Sequence, residues 1–159
     1  MADFTHVDTW IFDLDNTLYP AECNLFEQID QRMTEFIARR LDLPRDEARR
    51  VQKHYYAHHG TTLNGLMIEN NIDPASFLDF VHDIDLSPVS AAPALAARIE
   101  ALPGEKYVFT NGSQAHAANV MEKLGVAHVF KDVYDIEAAA FLPKPHHEAY
   151  RRFLDHHAI

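Results

Sequence analysis

The sequence predicts an α/β fold: a parallel sheet with crossover helices and an all-helical block inserted after the first strand. Three observations predict it. Short β-prone apolar runs at Thr9 to Phe12, Lys106 to Phe109 and Val133 to Ile136 each run into polar residues. Helical patterns separate the later runs, and strands alternating with helices imply a parallel sheet. Residues from about 20 to 88 show only helical periodicity. The expected domains are therefore a sheet core of 1–19 with 89–159, and a helical insertion of 20–88.

Thr9 to Phe12 reads as a buried strand because DLDNT follows it at once and forces a turn. After it, Leu25, Phe26, Ile29, Met33, Phe36, Ile37 and Leu41 recur at helical spacing. A second helix starts near Pro44 and stops before Gly60. A third, short helix spans Leu63 to Glu69. Asp73-Pro74 is a cap followed by a favoured first residue, so a fourth helix runs from there to about Ile84. The Ser- and Pro-rich stretch from Leu86 to Pro93 marks a boundary. A helix from Ala94 to Leu102 is closed by Pro103-Gly104. The strand from Lys106 ends in Thr110-Asn111-Gly112, and Ser113 caps a helix that stops at Gly125. The strand from Val133 to Ile136 leads to the loop Pro143-Lys144-Pro145, and a last helix begins near His146.

Composition narrows the function. Hydrophobic residues make up 47% of 159, which suits a packed domain and not a disordered chain. Lys plus Arg is 14 against 24 Asp plus Glu, a net charge of -10, which argues against nucleic-acid polymers as partners. The single cysteine, Cys23, has no basic neighbour to activate it and reads as packing in a reducing compartment. The N-terminal MADFTHVDTW carries acids where a signal peptide needs a basic region and an apolar run. No stretch approaches the roughly 20 apolar residues of a membrane helix. A cytoplasmic location is the expectation.

Ligands of open parallel sheets bind beyond the carboxyl ends of the strands. Three polar clusters stand there: Asp13 and Asp15, then Thr110 and Asn111, then Lys144. Each has a part to play in phosphoryl transfer. One carboxylate can attack and form an acyl-phosphate. A second, two residues on, can protonate the leaving oxygen and then activate water. A hydroxyl and a lysine can hold the phosphoryl oxygens and offset their charge. Mg²⁺ would relieve the repulsion between two acids and a dianionic phosphate.

These clusters carry a resemblance. WIFDLDNTLY resembles the first motif of the haloacid dehalogenase superfamily, YVFTNG the second and PKP the third, across residues 9 to about 153. The resemblance implies a Rossmann-like parallel sheet with a helical cap. It implies Asp13 as nucleophile, Asp15 as acid/base, and Thr110 and Lys144 as phosphoryl-holding residues. It places Asn111 and Gly112 near the phosphate. It makes the Asp13 side chain and the Asp15 backbone carbonyl ligands of Mg²⁺. KHYYAHHGTTLNGL further resembles the cap pattern of the pyrimidine 5'-nucleotidase branch, through Lys53, Tyr55, Tyr56, Gly60, Thr62, Leu63, Gly65 and Leu66. Tyr55 and Thr62 become candidate substrate contacts, and a small phosphomonoester such as UMP or CMP the candidate substrate.

Plainer readings stand beside these. Asp13 and Asp15 could be turn acids, Thr110-Asn111-Gly112 an ordinary turn, and Lys144 a solvated loop lysine. One of the adjacent Tyr55 and Tyr56 should be core packing, since neighbours on a helix point about 100° apart. For the same reason the pairs His58/His59, His146/His147 and His156/His157, among 11 histidines, read as surface residues and not as a zinc site. The family's fourth motif, an acidic pair after a further strand, has no counterpart beyond Lys144. The expectation is a sheet short of strands and a metal site short of a ligand. The competing functions are 2-haloacid dehalogenation, against which Asp15 argues, and a truncated non-catalytic phosphate-binding module.

Overall fold

The structure, a computed structural model, describes residues 4–159. The first three residues of the N-terminal stretch read above lie outside that range. In chain order the elements are β1 (Thr9–Phe12), a 3₁₀ turn (Ala21–Cys23), α1 (Leu25–Leu41), α2 (Arg45–His59), α3 (Thr62–Asn70), α4 (Pro74–Val81) and α5 (Pro93–Glu100). Then follow β2 (Glu105–Phe109), α6 (Gln114–Leu124), a second 3₁₀ turn (Ala127–Val129), β3 (Asp132–Tyr134) and α7 (His147–His157). The chain divides into two compact units, one of residues up to Cys23 with Leu86–Ile159, the other Asn24–Asp85. The Ala21–Cys23 turn belongs with the sheet, where Cys23 Sγ lies 3.5 Å from the Pro88 carbonyl. Among the described residues no helix is long and apolar enough to cross a membrane.

The sheet unit holds three parallel strands in the order β1-β2-β3. Phe12 pairs with Val108, and Phe109 with Tyr134, so the carboxyl ends of all three strands lie side by side. Tyr107, Phe109 and Tyr134 pack with Ala139, Ala149 and Phe153 into one aromatic cluster. Phe153 of α7 stacks on Phe109 at 5.3 Å. Aromatic pairs of this kind contribute about 0.5–1.5 kcal/mol beyond the area they bury. Ile11 on β1 is 44% exposed. Among the described residues no strand follows β3.

β3 stops two residues before the expected Ile136. The Asp135 carboxylate turns inward and accepts the backbone N–H groups of Gln114 (2.9 Å) and Ala138 (2.8 Å). An acid there meets the positive end of α6. Ser113 caps the same helix as expected, accepting from His116 N at 3.3 Å.

In the helical unit Leu25, Ile29, Phe36, Ile37, Leu66, Phe77, Leu78 and Val81 are buried. Asp73 caps α4 as expected, accepting from Ser76 N. α4 ends at Val81 and not at Ile84, where side chains of α1 take the Phe80 carbonyl and, beyond the helix, the backbone groups of Asp85. Arg32 Nε donates to the Phe80 carbonyl at 3.0 Å. Gln28 donates to the Asp85 carbonyl at 2.9 Å and accepts from Asp85 N at 2.8 Å. Asp30 joins α1 to α2. It accepts from Lys53 Nζ (2.6 Å), Arg49 Nη1 (2.9 Å) and the buried Gln52 Nε2 (2.8 Å). Burial pulls the Asp30 pKa up, but these hydrogen bonds and charges outweigh it and hold the carboxyl below its usual value.

Candidate active site

The turn after β1 is built by an apolar residue set between two acids. Leu14 is fully buried, and its carbonyl accepts from Thr17 N at 3.2 Å and Leu18 N at 3.0 Å. Asn16 takes the left-handed conformation the turn requires, which asparagine tolerates. Asp13 and Asp15 thus leave the turn on either side of the Leu14 anchor. Each carboxylate meets a hydroxyl four residues on. Thr17 Oγ1 donates to Asp13 Oδ2 at 2.9 Å, and Tyr19 Oη donates to Asp15 Oδ1 at 2.7 Å.

Lys144 reaches the first acid. Its Nζ lies 2.6 Å from Asp13 Oδ1 and also donates to the Phe109 carbonyl at the end of β2. Its side chain is 16% exposed, so it is not a solvated loop lysine, while Asp13 is 46% exposed. Asn111 pins the lysine loop: Lys144 N donates to Asn111 Oδ1 at 2.8 Å, and Asn111 Nδ2 donates to the Lys144 carbonyl at 3.1 Å. Both ends of that amide are thereby used. Asn111 therefore positions Lys144, where the resemblance implied a contact near the phosphate.

Thr110 and Gly112 close the other side. Gly112 N donates to Thr110 Oγ1 at 2.9 Å. This bond orients the hydroxyl oxygen while its own O–H remains a donor. A side chain on Gly112 would begin 3.2 Å from His116 Cδ2, 3.3 Å from Thr110 Oγ1 and 3.7 Å from Asp15 Oδ2. Glycine therefore keeps this small space open beside the second acid.

The sequence reading missed His116. It is buried in α6, and its Nε2 lies 2.8 Å from Asp15 Oδ1, 101 residues away in the chain. No local pattern points to that pair. Tyr19 could have been found, since Asp13/Thr17 and Asp15/Tyr19 share one spacing. Burial, then the charge of Asp15 and the hydrogen bond to it, push the Tyr19 pKa well above its usual value. Tyr19 therefore keeps its proton and donates a hydrogen bond to Asp15.

Tyr55 and Thr62 belong to the helical unit, where their polar atoms have partners. Tyr55 Oη donates to Asn70 Oδ1 at 2.8 Å. Thr62 is buried and donates to the Gln52 carbonyl at 3.3 Å. Tyr55 also explains a glycine of the cap pattern: a Cβ on Gly65 would lie 2.3 Å from Tyr55 Cβ and Cγ. Tyr56, by contrast, is 65% exposed.

The oxygen donors around Asp13 suit a hard divalent cation. The resemblance implies the Asp13 carboxylate and the Asp15 backbone carbonyl as its holders, and the Asp13 oxygens here take Lys144 at Oδ1 and Thr17 at Oδ2. The buried Asp135 carboxylate is taken up by backbone N–H groups. Beyond Lys144, Glu148 is engaged by Arg151 and Arg152.

Residues 7–157 match the family model of haloacid dehalogenase-like hydrolases. Phosphate metabolism protein 8 of Saccharomyces cerevisiae is 27% identical over 134 residues, covering 78% of this chain and 42% of that protein. The chain thus spans about two fifths of the length of this curated relative. Among solved structures, the HAD-hydrolase YfnB of Bacillus subtilis, bound to magnesium, aligns over 94% of this chain and 72% of its own. The TM-score is 0.50 at 15% identity. L-2-haloacid dehalogenase of Xanthobacter autotrophicus aligns over 96% and 66%, with a TM-score of 0.52 at 16% identity. At these identities the likeness is one of fold.

Proposed function

As this chain belongs to the haloacid dehalogenase-like hydrolases, we propose that it supplies the core of a phosphohydrolase acting on a small phosphomonoester. A pyrimidine nucleoside 5'-monophosphate such as UMP or CMP is the first candidate. The observation that carries this reading is the second acid. Asp15 is held on one oxygen by Tyr19 and His116 and sits beside Thr110 and Gly112. An alkoxide leaving group needs such a proton donor, whereas a departing halide needs none. The yeast relative, a phosphate metabolism protein, supports phosphate over halide. The nucleotide rests on the pattern from Lys53 to Leu66, which also gives the helical unit the part of a cap.

In this reading Asp13 attacks phosphorus, and the ester oxygen leaves with the proton of Asp15. A water then gives a proton back to Asp15 and attacks the aspartyl-phosphate, releasing inorganic phosphate and restoring Asp13. Lys144, 2.6 Å from Asp13 Oδ1, offsets charge at the nucleophile, and the Thr110 O–H holds a phosphoryl oxygen. The Asp13 carboxylate and the Asp15 backbone carbonyl would hold Mg²⁺, which when bound offsets the repulsion between carboxylates and phosphate.

The test is phosphate release from UMP, CMP and p-nitrophenyl phosphate with Mg²⁺ or chelator. Activity should need Mg²⁺, and Asp13→Asn should lower turnover by several orders of magnitude with substrate binding retained. Metal-independent release, or an Asp13→Asn protein as active as wild type, refutes the mechanism. Chloride release from a 2-haloacid without phosphate release would transfer the case to dehalogenation.

A further inference from the structure

Away from that site, one cluster of side chains carries ligand chemistry of another kind. Asp132 opens β3, and His156 and His157 stand in the last turn of α7. Among the described residues, one ligand atom from each of the three lies within 4.8 Å of the others. The sequence reading set these histidines aside because neighbours on a helix diverge by about 100°. The imidazoles nevertheless reach round that divergence, with ring centroids 4.7 Å apart.

His157 is the informative member. Its side chain is 6% exposed, so this histidine is not the surface residue expected. Its ring packs on Tyr107 and Phe153, each at 4.5 Å. Nδ1 lies 3.0 Å from the Phe153 carbonyl. A carbonyl only accepts, so Nδ1 carries the hydrogen, and Nε2 of the neutral ring presents a lone pair. Facing that lone pair at 3.0 Å is Asp132 Oδ2, another acceptor. Two acceptors so close need a positive centre between them, either a second ring proton or a metal ion. A proton accounts for the pair but gives no role to His156, the third ligand. An imidazole whose other N–H is held by a backbone carbonyl is oriented as metal-binding histidines are. The carboxyl end of α7 adds partial negative charge to the same place.

We propose that Asp132, His156 and His157 bind a divalent metal ion of the zinc type, tying the end of α7 to the start of β3. Two imidazoles and a carboxylate suit Zn²⁺, whereas Mg²⁺ takes oxygen ligands. The site is independent of the phosphohydrolase reading.

The test uses protein without a polyhistidine tag, stripped of metal and kept in excess Mg²⁺ to occupy oxygen sites. Zn²⁺ is titrated by calorimetry, and Tm is measured with and without it. One Zn²⁺ should bind per chain and raise Tm. His156→Ala and Asp132→Asn change exposed residues and should leave the circular dichroism spectrum unchanged. Each should weaken binding at least tenfold and remove the rise in Tm, because loss of mere supporting partners already costs about 10–100-fold in affinity. No saturable binding overturns the proposal, as does wild-type affinity in both variants. Loss in Asp132→Asn with full affinity in His156→Ala overturns the three-ligand assignment.

Discussion

Tyr19→Phe removes one hydroxyl and leaves the ring that fills the core. The lost interaction is the 2.7 Å bond to Asp15 Oδ1, and His116 Nε2 stays at 2.8 Å from the same oxygen. A hydrogen bond to a charged group contributes about 1.5–3 kcal/mol. Each 1.36 kcal/mol corresponds to about tenfold in rate, so complete loss of orientation would cost about 10–100-fold. Because His116 still holds Asp15, the single variant should lie near the lower end, about tenfold in kcat with UMP. Tyr19→Phe combined with His116→Asn should approach the upper end. The effect should be smaller with p-nitrophenyl phosphate, whose leaving group needs little protonation. The assay is kcat for both substrates beside Tm for each protein. Equal losses on both substrates, or no loss in the double variant, would show that the clamp on Asp15 does not serve proton transfer.

Two further predictions concern the helical unit. Gly65→Ala places a methyl 2.3 Å from Tyr55 Cβ and Cγ and should destabilise by about 1–3 kcal/mol, read as a lower urea midpoint. A midpoint equal to wild type would mean that Tyr55 does not sit on Gly65. Asp30 gives a pH dependence with a definite sign. Its folded pKa is lowered, so the unfolded chain binds the proton more readily. Its contribution is complete above the ordinary aspartate value of about 3.9 and is lost as pH falls through the lowered folded value. Asp30→Asn should therefore flatten the acid side of a Tm-against-pH curve and leave its shape near neutrality unchanged. An acid limb as steep as that of wild type would count against the Asp30 network.

Much of this fold was legible because it depends on short-range physics. Helical spacing in α1, the Asp73 and Ser113 caps and the stop at Gly125 involve residues a few positions apart, and each stands where the residue types demand. The two acids, Thr110 and Lys144 were legible for a related reason: each follows a strand, and parallel strands deliver their carboxyl ends to one edge. Element ends were less legible, because distant groups set them. α4 stops where Arg32 of α1 takes the Phe80 carbonyl, and β3 stops where Asp135 turns to cap α6. The partners of the site were beyond reach altogether. His116 meets Asp15 across 101 residues, Asn111 meets Lys144 across 33, and His157 meets Asp132 across 25. Sequence alone determined which chemical groups stand at the strand ends, since periodicity and turn chemistry act over a few residues. Only the tertiary structure decided which group orients which, because strand register and helix packing bring side chains together over distances that no local pattern encodes.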